Sequence, residues 1–264
     1  MEETAQQPLF GKRVLVTRAQ AQSRELCERI KQLGGDTYAF PTIRIMDPVS
    51  YEALDQALRR LSHFVWVVFT SVNGVDRFFR RLRAVPDADI RQLAQTSVAA
   101  IGPKTAEALA DKGLKVDLIP DEYRAEALLS ALEKHVAAGD NILLPRANIA
   151  RKVLPDGLRR LGCDVTEADA YRTEINAEHA AEVAHMLADR AFHIVTFTSA
   201  STVRNFVKAL DQTGQPWRHW ITQAHIACIG PVAADAAREL GLEPDVVATN
   251  YTTEGLLAAM QSLP

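Results

Sequence analysis

The sequence predicts an α/β protein built from two doubly wound parallel-sheet domains that arose by internal duplication. Two observations carry this expectation. Short, uninterrupted apolar runs alternate with longer segments at helical spacing, the order required by a parallel sheet covered on both faces. The chain also matches itself at a constant offset of 128 residues, with no gap. Its 264 residues, 47% hydrophobic and 24% charged, suffice for two such domains.

The elements follow in order. Val14-Leu15-Val16 reads as a buried strand, and Gln20 to Leu33 keeps helical spacing through Leu26, Ile30 and Leu33. Gly34-Gly35 stops that helix. Val65 to Phe69 is a fully apolar strand, followed by a helix carrying Val75, Phe78, Phe79 and Leu82. Ser97 to Ile101 is the next strand. Pro103 suits a first helical position, and Gly113 ends that helix. Val116 to Ile119 reads as a strand and Glu126 to Val136 as a helix. The same order then returns. Gly11, Leu15 and Arg18 meet Gly139, Leu143 and Arg146, and Phe69-Thr70-Ser71 meets Phe197-Thr198-Ser199. Ile101-Gly102-Pro103 meets Ile229-Gly230-Pro231, and Tyr123 and Glu126 meet Tyr251 and Glu254. The repeats span 11–138 and 139–264. Extended segments at 40–45 and 168–174, at matching places in the copies, are the candidate crossings between domains.

Composition removes several function classes. A formal net charge of −3 gives no general basic surface for nucleic acid. No apolar run approaches the roughly 18 residues of a membrane span. Glu2 and Glu3 make the start unlike a secretory signal, and Cys27, Cys163 and Cys228 are scattered, so a cytoplasmic protein is expected. The 13 glycines contain no G-x-G, so the dinucleotide fingerprint is missing. There is no nucleotide P-loop, no H-E-x-x-H and no G-x-S-x-G, and the seven histidines show no metal spacing. A protein without metal or cofactor is expected.

In open α/β sheets, ligands bind beyond the carboxyl ends of the strands. The turns there are Thr17-Arg18, Thr70-Ser71-Val72-Asn73 and Gly102-Pro103-Lys104-Thr105, with Arg146, Thr198-Ser199 and Gly230-Pro231-Val232-Ala233 in the second copy. Hydroxyls and free N–H groups at helix starts attract carboxylates and phosphates, although Thr and Ser there also serve simply as caps. Arg18 and Arg146 end the first strand of each copy and suit either a ligand carboxylate or a structural ion pair. Arg151 and Lys152, one helical turn beyond Arg146, add positive charge or lie on a solvated face. Tyr171, in the second crossing, can move a proton or pack with its hydroxyl bonded. Tyr123 and Tyr251 read as a packing pair. These turns imply a cleft for a sizeable anionic ligand.

The motif set resembles the uroporphyrinogen-III synthase family. It comprises Val14-Leu15-Val16-Thr17-Arg18 with Gln22, Pro41-Thr42-Ile43-Arg44-Ile45, Phe69-Thr70-Ser71-Val72-Asn73-Gly74-Val75 and Ile101-Gly102-Pro103-Lys104-Thr105-Ala106. Leu144-Pro145-Arg146, Ala170-Tyr171-Arg172-Thr173, Phe197-Thr198-Ser199 and Ile229-Gly230-Pro231 complete it, so the likeness covers roughly 11–260. The resemblance implies a cofactor-free, cytoplasmic enzyme that cyclises hydroxymethylbilane, a linear polycarboxylate tetrapyrrole, and inverts its last ring with loss of water. It implies Tyr171 as the aid to hydroxyl departure. It implies substrate contacts at Thr17, Arg18, Thr70, Ser71, Asn73, Gly102, Lys104, Thr105, Arg146, Arg151, Thr198, Ser199, Gly230, Val232 and Ala233. Relatives often carry threonine at Ala233, and a proline is usual at Ala19. The family's architecture is flavodoxin-like. Residues 1–41 with 173–264 form one domain and 42–172 the other, joined by a two-segment extended hinge, so each copy's opening strand packs with the other copy. A monomer is expected, touching the preceding pathway enzyme in passing. A two-lobed, non-catalytic receptor for an anionic metabolite is the alternative.

Overall fold

The structure, a computed structural model, describes residues 7–18 and 20–264. Glu2, Glu3, Ala19 and the side chain of Gln22 lie outside the described residues. The strands are β1 (Arg13–Val16), β2 (Asp36–Ala39), β3 (Ile43–Met46), β4 (Trp66–Phe69), β5 (Ser97–Ala100), β6 (Asn141–Ala147), β7 (Asp164–Ile175), β8 (Ile194–Phe197), β9 (His225–Cys228) and β10 (Val246–Val247). The helices are α1 (Gln20–Gln32), α2 (Glu52–Arg59), α3 (Val72–Leu82), α4 (Pro103–Ala110), α5 (Ala125–Leu132), α6 (Val153–Arg160), α7 (Ala180–Ala188), α8 (Ala200–Asp211), α9 (Trp217–Trp220), α10 (Pro231–Glu239) and α11 (Thr253–Gln261).

The chain divides into two compact units, Met1–Arg44 with Glu174–Pro264, and Ile45–Thr173. The first unit holds a sheet of order β10-β9-β8-β1-β2, with parallel pairing throughout. Counted along the chain, this is the 2-1-3-4-5 order of a doubly wound sheet. In the second unit β7, β6, β4 and β5 run parallel, and β3 adds to the β7 edge. The registers correspond at the 128-residue offset. Arg13 pairs with Asp36 as Asn141 pairs with Asp164, and Ile194 with His225 as Trp66 with Ser97. The opening strand β1 lies beside β8, and β6 lies beside β4.

Side chains on successive strand residues point to opposite faces, so each strand feeds two cores. In β4, Val67 and Phe69 pack with α2 and α3, while Trp66 and Val68 pack with α5 and α6. In the first unit, Leu15 joins α7, α8 and α10, while Val14 and Val16 meet Leu26 and Ile30 of α1 and Leu256 of α11. Both faces of each sheet are thus covered.

Three expectations need correction. Val116–Ile119 forms no strand, only a single parallel bridge from Leu118 to Ala99. The Asp117 carboxylate accepts the Val98 N–H at 2.7 Å, taking the donor that a longer ladder would use. Arg151 and Lys152 are not one helical turn beyond Arg146. β6 runs on to Ala147, and the loop that follows delays α6 to Val153. Tyr123 and Tyr251 are not packed inside, being 64% and 66% exposed.

Candidate active site

The polar side chains at the carboxyl ends of the strands sort into two sets, one in each unit. In the unit Ile45–Thr173, β4 ends at Phe69, and Thr70 and Ser71 lead into α3. Ser71 caps that helix, its Oγ accepting the Gly74 N–H at 3.0 Å. The same oxygen lies 3.0 Å from the Tyr171 hydroxyl. Tyr171 reaches it because the β6–β7 ladder slips by one residue. Arg146 pairs with Asp169, but Ala147 pairs with Tyr171. Beyond this bulge Tyr171 falls on the same buried side as Ala168 and Ala170, in the core that also holds Phe69 and Val75. Its ring is 7% exposed.

Arg146 is 6% exposed and holds Glu167 at 3.2 Å, with its second Nη donating to the Arg151 carbonyl. Lys152 and Arg159 both lie 2.9 Å from the same carboxylate. Burial pushes the Glu167 carboxyl up, but hydrogen bonds from Lys152 and Arg159, with the charges of Lys152 and Arg146, outweigh it and hold it below its ordinary value. Arg146 therefore forms an internal ion pair, and it also lines a cavity of about 250 Å³. Thr70, Ile101, Tyr123, Arg124, Leu144 and Arg151 also line it. Gly102 caps α4, with Pro103 in the first turn and the Lys104 side chain exposed. Asn73 is exposed on the first turn of α3, and Thr105 is buried.

In the other unit Ser199 caps α8, accepting the Thr202 N–H at 3.2 Å, and Thr198 beside it is half-buried. Arg18 is half-buried and donates to Thr253 Oγ1 at 3.3 Å. Gly230 caps α10 and Val232 is exposed. Thr17 is fully buried, its hydroxyl given to the Thr196 carbonyl at 2.6 Å, so it braces β1 against β8 and offers no side chain at the sheet edge. Ala233 is 2% exposed in the core of α8 and α10, so its side chain offers no ligand contact. A hydroxyl here would be as buried as that of Thr105, the residue at the matching place.

The model of the uroporphyrinogen-III synthase HemD family matches residues 9–258. The chain belongs to the uroporphyrinogen-III synthase family. It is 33% identical to the uroporphyrinogen-III synthase of Synechococcus elongatus over 97% of each chain. It is 34% identical to a putative uroporphyrinogen-III synthase of Methanothermobacter thermautotrophicus, over 93% of this chain and 96% of that one. The fold is shared with a mutant uroporphyrinogen III synthase of Thermus thermophilus, with a TM-score of 0.61 at 20% identity over 94% of this chain and 96% of the other. Membership favours the enzyme over a non-catalytic receptor and places the protein in tetrapyrrole biosynthesis. No helix among the described residues is long and apolar enough to cross a membrane.

Sequence reasoning missed Tyr123, Arg124 and Glu167. Tyr123 carried a signal, since it recurs as Tyr251 in the second copy. Its exposure did not, because an aromatic residue is more often inside than out. Glu167 sits on β7 with no motif around it and becomes visible only when the cations around it are placed in space.

Proposed function

We propose that this protein is the uroporphyrinogen-III synthase that closes hydroxymethylbilane into uroporphyrinogen III, inverting the last ring and releasing water. The observation that carries the reading is the Tyr171–Ser71 hydroxyl pair at 3.0 Å, beside the carboxyl end of β4 in a member of this family. The substrate's terminal hydroxyl must leave with a proton. Tyr171 supplies that proton, while Ser71, fixed by its cap to Gly74, aims the phenol. An azafulvene cation remains. The last ring attacks it through its already substituted carbon, and the spiro intermediate fragments and recloses with the ring turned over. A proton lost as the pyrrole regains aromaticity balances the one supplied. The substrate brings most of the reactivity, so holding its two ends in one geometry is the larger task.

The remaining contacts are assigned to the turns at the strand ends. In the unit Ile45–Thr173 the candidates are Ser71, Asn73, Gly102, Lys104 and Arg151, and in the other unit they are Arg18, Thr198, Ser199, Gly230 and Val232. Thr70 and Arg146 shape the cavity wall, while Thr17, Thr105 and Ala233 act through the backbone they hold in place. We read the two units as domains from an internal duplication whose opening strands changed partners, with 40–45 and 168–174 as the hinge. The matching registers support this reading. We expect a cytoplasmic monomer that receives its labile substrate from the preceding enzyme. The test supplies hydroxymethylbilane and separates the type I and type III isomers. Type III product in excess of the spontaneous type I product is expected, and type I alone would refute the assignment.

A further inference from the structure

An exposed tyrosine ring lies over a glycine at the start of a helix, once in each unit. Tyr123 is 64% exposed, yet a Cβ added to Gly102 would meet its Cγ at 3.1 Å. Tyr251 is 66% exposed, and a Cβ on Gly230 would meet its Cδ1 at 3.0 Å. Both glycines are extended, with φ −174° and 177°, so the backbone itself does not demand glycine. What a side chain at either position would disturb is the ring above it. A lone exposed aromatic needs no explanation. A ring kept in register over a bare glycine, at the same place in both repeats, is a built feature.

The surroundings of Tyr123 say what it could hold. It lines the 250 Å³ cavity together with Arg124 and Arg151. Arg124 pairs with Glu122 at 2.6 Å and Arg151 with Glu126 at 3.1 Å, and all four side chains are at least 42% exposed. Ion pairs this exposed contribute little, so the guanidinium groups can exchange partners at small cost. A flat apolar face beside two re-pairable cations fits a flat ring that carries carboxylate arms. We infer that Tyr123 is a platform for one pyrrole ring of the tetrapyrrole, whose carboxylates are taken by Arg124 and Arg151. Tyr251 is its counterpart in the other unit. This rests on the synthase reading and makes Tyr123 a residue of substrate positioning rather than of proton transfer.

The test is steady-state kinetics with hydroxymethylbilane on four variants, with the melting temperature of each. Tyr123→Ala should raise KM by about tenfold and change kcat by less than about threefold, the signature of lost ground-state binding. Tyr123→Phe keeps the ring and should recover most of that loss. Gly102→Ala should raise KM by pushing the ring aside, but should add nothing in a Tyr123→Ala background, because the two changes act through one ring. The Tyr123 variants should keep their melting temperatures within about 2 °C, as befits an exposed site. If the unaltered protein made only type I product, the synthase reading itself would fall. With type III product formed, an unchanged KM in Tyr123→Ala overturns the platform alone. So does equal damage from Ala and Phe, or a Gly102→Ala effect that persists without the ring.

Discussion

At the scale of single residues, the phenol of Tyr171 and the carboxylate of Glu167 carry opposite kinds of burden. Tyr171 shares one neutral hydrogen bond with Ser71, a part-buried partner that keeps its own cap. Tyr171→Phe should therefore cost only about 1 kcal/mol of stability by chemical denaturation, while slowing type III formation by about 10- to 100-fold. An unchanged rate would take Tyr171 out of the chemistry. Glu167 instead neutralises three cations, one of them the buried Arg146. Its folded-state pKa is held below the ordinary value, so its stabilising contribution is full above the unfolded pKa of about 4.3 and is lost as pH falls through the folded value. Glu167→Gln should lower stability at neutral pH by about 2 kcal/mol, and the deficit should shrink as pH falls from 5 toward about 3. A deficit constant across that range would mean the carboxylate's charge does not matter. Residues of these kinds were unequally legible. The resemblance pointed to Tyr171, whereas the fate of Thr17 depended on whether its hydroxyl found Thr196 across a strand contributed by the other repeat.

At the scale of elements, the sequence announces strands and helices where one force dominates and falls silent where two compete. Val67, Val68 and Phe69 are apolar on both faces and form β4 as expected. Val116 to Ile119 is interrupted by one charged residue, Asp117, whose side chain takes over the backbone donor of Val98. The loop between β6 and α6 was hidden because the offset stays constant through it. Only packing shows that β6 continues to Ala147 while β1 stops at Val16. Capping is where sequence and structure agree most directly. Ser71 and Ser199 both sit in extended backbone and accept an N–H three residues on. Ser199→Ala should lower stability by about 1 kcal/mol. Ser71→Ala should cost a similar amount, because both oxygens also meet other hydroxyls, Tyr171 at Ser71 and Ser201 and Thr202 at Ser199. A double-mutant cycle of Ser71→Ala with Tyr171→Phe should show coupling of about 0.5 kcal/mol or more, and strict additivity would argue that the 3.0 Å contact carries no energy.

At the scale of the whole molecule, the constant offset made the sequence repeat legible but left the partners of each opening strand open. The registers of β1 on β8 and of β6 on β4 are equivalent, so backbone pairing alone cannot decide which strand goes where. Side chains can decide. In α6, Gly157 lies under Leu129 of α5, where any Cβ would collide with the leucine. The residue at the matching place in α1 is Arg29. The helix α1 therefore cannot take the place of α6 against α5 without forcing a long charged side chain into that contact. The segment Ile45–Thr173 contains both of its own apolar clusters, from Leu54 to Tyr171 and from Trp66 to Cys163. A protein fragment of residues 45–173 should thus fold alone, with helical circular dichroism and a cooperative urea transition. The sequence repeat 11–138 lacks β6, β7 and α6, so β4 loses a neighbour and Leu129 loses the glycine it packs on. It should show neither helical signal nor cooperative transition. Cooperative folding of 11–138 would mean that α1 can stand in for α6 after all, and that the pairing seen here is a choice between near-equal partners rather than one enforced by packing.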